Sequence, residues 1–119
     1  MAEQPTGKPS PQEVEKMIRD YQMVQEQMRN FQIQVEQLQM QSNELQTAKE
    51  EVGKATGKVY VAIGGVIVET SKETALKNID EKSETSTVRL QSANKQLNEL
   101  RAREKQLREK ITQMSSSLQ

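Results

Sequence analysis

Apolar residues recur along the first part of the chain in alternating steps of four and three: Met17, Tyr21, Val24, Met28, Phe31, Val35, Leu38, Ser42, Leu45, Lys49 and Val52, with only Ser42 and Lys49 breaking the series. A repeat of 3.5 residues sustained over this length predicts a helix that presents one apolar seam to a neighbouring helix and supercoils left-handed about it. Ser10, Pro11 and Glu13 supply the start: a hydroxyl to cap free amides, a proline where its missing N–H costs nothing, and a carboxylate three residues past the cap. Gly53 offers a left-handed C-cap and GKATG a break, so this helix is predicted over 11–53.

A second seam follows: Leu76, Ile79, Ser83, Ser86, Leu90, Ala93, Leu97, Leu100, Glu104, Leu107, Ile111, Met114 and Leu118. Thr70 and Glu73 have capping-box spacing, and the second helix is predicted over 71–115. Folding the chain back antiparallel about Gly64 brings Val52 to Leu76, Leu38 to Leu90, Phe31 to Leu97 and Tyr21 to Leu107. Every step of one seam then meets a step of the other, and the weak positions Ser42 and Ser86 coincide. Helices of this length would make an arm on the order of 65 Å long. Residues 1–10 have the composition of a disordered tail and 116–119 of a frayed end, leaving 11–115 as a single domain.

Between the seams lies GKVYVAIGGVIVET, whose period changes from 3.5 to 2. With Gly64 and Gly65 as the central pair of a type I′ turn, residues 58–69 are predicted to form a β-hairpin. Val59, Val61, Ile63, Val66 and Val68 share one face; Tyr60, Ala62, Ile67 and Glu69 share the other. A lone hairpin with two free edges and apolar faces is marginal in water. A thin coiled coil is not expected to fold back over its own connector, so the simplest cover is the same hairpin from other chains, closed into a barrel. The predicted fold class is mainly α: a long antiparallel α-helical coiled coil connected by one short β-hairpin that joins an oligomeric β-barrel.

Composition narrows the chemistry. The chain has 17 basic and 17 acidic residues, so no net field gathers nucleic acid or an anionic membrane. Neither cysteine nor histidine occurs, which removes disulfides, thiolate metal sites, the commonest metal ligand and the commonest general base. GKATGKV has the look of a phosphate-binding loop but is one residue short between its glycines, with Val59 where a hydroxyl should bind magnesium. The carboxylates Glu13, Glu15, Asp20, Glu50 and Glu51 read as solvated helix faces. RAREKQLREK, at 101–110, is locally basic and is expected to pair with the acidic start of the first helix, for example Arg101 or Arg103 with Glu26. The expectation is no enzyme, no cofactor, no metal and no catalytic residue. With no apolar run near the twenty residues of a spanning helix, a soluble, cytoplasmic protein is expected.

The order helix, hairpin, helix, with VYVAIGGVIVET between the arms and SKETALKNIDEKSE after it, resembles the β-class subunits of prefoldin over about residues 11–115. AIGGVIVE carries most of the likeness and is similar to the hairpin of the archaeal β subunit or of the second eukaryotic subunit. The resemblance implies an ATP-independent holdase chaperone: a hetero-hexamer with α-class and other β-class subunits, joined by hairpins into a double β-barrel. It also implies that such a complex captures non-native proteins and hands them to a group II chaperonin. Client contact is then expected at the arm end, from the seam residues Met17, Tyr21, Leu107, Ile111 and Met114, from Val14 and Ile18, read as off the seam, and from Leu118 beyond its last well-partnered layer. Assembly is expected through Val59, Val61, Ile63, Gly64, Gly65, Val66 and Val68. A structural coiled-coil scaffold that oligomerises through its hairpin and binds specific folded partners is the alternative.

Overall fold

The computed structural model describes residues 9–117, with only the backbone of Ser117. The predicted tail up to residue 8, Leu118 and residue 119 lie outside the described residues. The elements are α1 (Pro11–Lys54), β1 (Val59–Ile63), β2 (Val66–Thr70) and α2 (Lys72–Ser117). They fall into two compact units, one built from residues up to Ile33 together with those from Asn94 onward, the other from Gln34–Ala93.

The start of α1 follows the sequence reading. The Glu13 amide donates to Ser10 Oγ at 3.2 Å and the Val14 amide to the Ser10 carbonyl at 3.1 Å. Its end does not. Gly53 stays helical, positive φ among the described residues being confined to Gly64 and Gly65. The Ala55 amide instead donates to Val52 O at 3.1 Å, a tightened last turn. Lys72 Nζ then donates to the carbonyls of Gly53, at 2.8 Å, and Ala55, at 3.4 Å. A cation on the first residue of α2 has the wrong sign for that helix's own dipole; crossing to the carbonyl end of α1 reverses the sign of the interaction.

Helix α2 also begins one residue later than the capping-box reading implied. Thr70 is held in β2 opposite Val59, so Ser71 caps: the Thr74 amide donates to its Oγ at 3.1 Å and the Ala75 amide to its carbonyl at 2.9 Å. The helix runs on to Ser117, past the predicted end at 115, because no glycine or proline interrupts its backbone bonds there.

In the first unit Val24 and Leu97 are buried, and Met17, Tyr21, Met28, Phe31, Leu100, Leu107, Ile111 and Met114 are half-buried. Val14 is half-buried too. It stands a step of three before Met17 and so extends the seam, which corrects its placement off it. The Tyr21 hydroxyl donates to Glu104 Oε1 at 3.0 Å, one turn from its predicted partner Leu107 and within reach of a long phenol.

In the second unit Leu38, Ser86 and Ala93 are buried, with Val35, Ser42, Leu45, Val52, Leu76, Ile79, Ser83 and Leu90 half-buried. Lys49, the seam's charged member, stays exposed and meets Asp80 at 2.9 Å. Asp80 adjoins Ile79, the residue expected opposite Lys49, so this cross-helix pair agrees with the predicted register. Each fully buried Val or Leu contributes roughly 1.5–3 kcal/mol over its exposed state.

Candidate functional site

The hairpin is antiparallel, with Val59 opposite Thr70, Val61 opposite Val68 and Ile63 opposite Val66. Gly64 and Gly65 have φ of 53° and 84°, the paired left-handed conformations that a two-residue turn matched to strand twist requires. No atom lies within 4 Å of a Cβ built at either glycine, so the requirement is backbone strain and not space.

The hairpin faces differ in cover. Val59 is buried and Val61 half-buried, yet Ile63 is 61% exposed, Val66 60% and Ile67 72%, with Tyr60 and Val68 also exposed. The expectation that the chain would leave its own connector bare is therefore corrected. Val61 and Ile63 form one wall of an open groove of about 560 Å³, and Lys82, Thr85, Ser86 and Arg89 of α2 line the other. Those four stand at i, i+3, i+4 and i+7 and so share one helix face, which is how a five-residue strand finds a flat neighbour. The outer part of the same face, Val66 and Val68, remains exposed, as do Tyr60 and Ile67 behind it. Lys58 and Glu69 form an exposed pair at 3.6 Å across the base of the hairpin, a contact of little energetic weight.

The arm-end set belongs to the first unit. Met17, Tyr21, Leu107, Ile111 and Met114 are half-buried and close the seam; Ile18 is 40% exposed. Leu118 lies outside the described residues. Higher on α1, Met23 is 58% exposed. Glu104 accepts from Tyr21 and lies 3.4 Å from Arg108, its carboxylate largely covered. The hydrogen bond to that carboxylate, then burial and its charge, raise the Tyr21 pKa, and Arg108 opposes them. The expected pairing of Arg101 or Arg103 with Glu26 does not form: Arg101 donates to Asn98 at 3.2 Å, and the ion pair in this stretch is Glu104 with Arg108.

Among the described residues no group of three or more acidic side chains is placed to hold a metal, and no helix is long and apolar enough to cross a membrane. Of the groove side chains, Ser86 is expected from the sequence as a weak seam position, whereas Lys82, Thr85 and Arg89 are not singled out by it. Their signal was faint, a polar stripe at helical spacing that resembles any solvated face until a strand is laid beside it.

Known proteins resemble this chain in sequence and in fold. A family model described as prefoldin subunit matches residues 15–117. The prefoldin subunit beta of Methanosarcina mazei is 38% identical over 55 residues, 46% of this chain and 47% of the relative. That of Pyrococcus abyssi is 43% identical over 54 residues, covering 45% and 46%. The matched stretch spans about half the length of these curated relatives. The crystal structure of the prefoldin beta subunit from Thermococcus strain KS-1 aligns with a TM-score of 0.78 at 30% identity, covering 86% of this chain and 90% of that one.

Proposed function

Because the chain belongs to the prefoldin subunit family, we propose that it is a non-catalytic chaperone subunit that assembles with α-class and other β-class prefoldin subunits through its hairpin. In this reading the complex holds non-native proteins at its arm ends and passes them to a group II chaperonin without ATP. The observation that carries the assembly half is the exposed part of the hairpin: Ile63, Val66 and Ile67 are each at least 60% exposed, on a two-stranded sheet with both edges unpaired among the described residues. Apolar surface and open edges together cost enough in water that a partner strand is the economical solution.

The client half is supported by the arm end. Ile18 stands exposed beside a seam whose last members, Ile111 and Met114, are only half covered, and a methionine adapts to irregular partners. One such end would bind weakly; several around a shared cavity would gain from effective concentration.

The test is reconstitution with an α-class subunit, followed by suppression of aggregation of a denatured protein. Ile18→Ser with Ile111→Ser is expected to leave the assembled mass unchanged and to remove most of the suppression. An assembled variant that suppresses aggregation as well as wild type would sink the arm-end reading and favour the scaffold alternative.

A further inference from the structure

The hairpin joins its two helices through links of unequal stiffness. On the α2 side a single residue, Ser71, separates β2 from the helix, and it is firmly held. Its Oγ accepts from the Thr74 amide at 3.1 Å and donates to Thr74 Oγ1 at 2.8 Å, and its carbonyl accepts from the Ala75 amide at 2.9 Å. On the α1 side four residues, 55–58, intervene. Among the described residues their one backbone-to-backbone hydrogen bond outside helix and strand is that of the Ala55 amide to Val52 O. Gly57 stands in this link with nothing within 4 Å of a Cβ built on it. Open space and few bonds leave many conformations available there, so the link does not by itself set the direction of the hairpin.

Packing of the sheet sets it only in part. Val59 at the base is buried, but Val61 is half-buried and Ile63 largely exposed above an open groove. One cation acts at the link itself. Lys72 Nζ, on the first residue of α2, donates to the carbonyl of Gly53 at 2.8 Å and to that of Ala55 at 3.4 Å. The first lies in the last turn of α1, where carbonyls lack amide partners, and the second opens the soft link. Lys49 with Asp80 at 2.9 Å joins the helices on one side of this point, and Lys58 with Glu69 at 3.6 Å joins the base of the strands on the other.

We propose that Lys72 is a positioning residue: by clamping the carbonyl end of α1 to the firmly capped start of α2, it fixes the direction in which the hairpin leaves the helices of the second unit. An exposed charge contact adds little to the stability of a whole fold. The competition here is narrower, between neighbouring hairpin directions that differ little in buried area, and a modest preference shifts such a population. The consequence for function rests on the assembly reading and deepens it. Strands pair edge to edge only when they arrive at matching angles, and a hairpin already held at its angle has less freedom to lose on pairing.

The chain has no cysteine, so two introduced ones carry spin labels at known places. Val66→Cys on the hairpin and Val88→Cys on α2 use exposed positions. In the full chain, diluted with unlabelled chain so that only intramolecular pairs are read, dipolar electron paramagnetic resonance is expected to give one narrow distance distribution. Lys72→Met keeps an aliphatic stem and removes the donors; it is expected to broaden the distribution about twofold. Lys72→Arg, which still donates, is expected to keep it narrow, and the melting temperature is expected to be the same in all three. In reconstitution with α-class and β-class subunits, Lys72→Met is expected to weaken assembly about fivefold and Lys72→Arg to assemble as wild type, a rescue that simple loss of fold would not show. A distribution as narrow in Lys72→Met as in wild type overturns the proposal, as does a wild-type distribution that is already broad. Broadening without any loss of assembly overturns its consequence for function. If Val66→Asp with Ile67→Asp still assembles, the assembly reading fails by itself, while the spin labels continue to decide the role of Lys72.

Discussion

Leu97 and Ile67 are both branched aliphatic residues in regular secondary structure, and they end at opposite extremes, 2% and 72% exposed. The helical seams of each unit find their complement within the chain, and the hairpin does not. A helix needs only one apolar stripe covered, and a second helix of matching repeat covers it. A two-stranded ribbon has two faces and two edges, and a helix laid against it covers part of one face. What the contrast teaches is that exposed apolar surface here is not a general failure of packing: the same chain buries such residues where its own geometry permits, and the proposed assembly is what would cover the rest.

The comparison breaks most sharply at the hairpin. Val66→Asp with Ile67→Asp is expected to abolish co-assembly with prefoldin partners, read as a monomer by sedimentation, while circular dichroism retains the helical signal. Both side chains are already largely exposed, so the change removes little buried apolar surface from the isolated chain. Retained assembly would mean that the exposed part of the hairpin is not the joining element.

At the other pole, Leu97→Ala is expected to destabilise the folded chain by about 3 kcal/mol, since it empties a site that solvent hardly reaches. Thermal unfolding of the isolated chain measures it. A change as small as that of a surface substitution would mean that the seam is not what holds the helices. Smaller again is Ser71→Ala, which removes the Oγ acceptor of the Thr74 amide and is expected to cost about 1 kcal/mol. Placed between hairpin and helix, it asks whether α2 depends on its own cap or on the turn that precedes it; denaturant unfolding with Ser10→Ala as the reference decides.

The finest effect is in pH. Ionising Tyr21 sets a phenolate against the Glu104 carboxylate, so its pKa lies above the ordinary value near 10. A group whose folded pKa is raised stabilises fully below the unfolded value, and that contribution disappears as pH climbs through the folded one. In a Tyr60→Phe background, absorbance titration is expected to show Tyr21 ionising later than free tyrosine, with melting temperature falling over the same window and Tyr21→Phe flattening the fall. Titration at or below the ordinary value would contradict the hydrogen bond.

Periodicity is a strong guide where one interaction repeats many times. Both seams, the turn at Gly64 and Gly65 and the cap at Ser10 were legible because each rests on local spacing or on a backbone conformation that few residues adopt. Val14, one step of three before Met17, belongs to the same seam and is half-buried with it. A glycine near a helix end suggests a left-handed cap by composition, and Gly53 does not form one. Composition does not reveal that Lys72, nineteen residues on, reaches back to the same carbonyl. The client role proposed for the arm end is not legible from periodicity, since Met17, Tyr21, Ile111 and Met114 serve the seam whether or not they serve anything else.

By itself, then, the sequence determined the elements, their order and the side of each helix that turns inward, because a 3.5-residue repeat, an alternating strand and a pair of glycines each have one low-energy answer that needs no distant partner. Tertiary structure alone decided where the hairpin leans, which of its valines are covered, and that Ser86 is sealed without a partner beside Lys82 and Arg89. Those outcomes depend on the direction in which a short linker lets two strands fall against a helix, a competition among weak contacts far apart in sequence, and no spacing rule records who wins it.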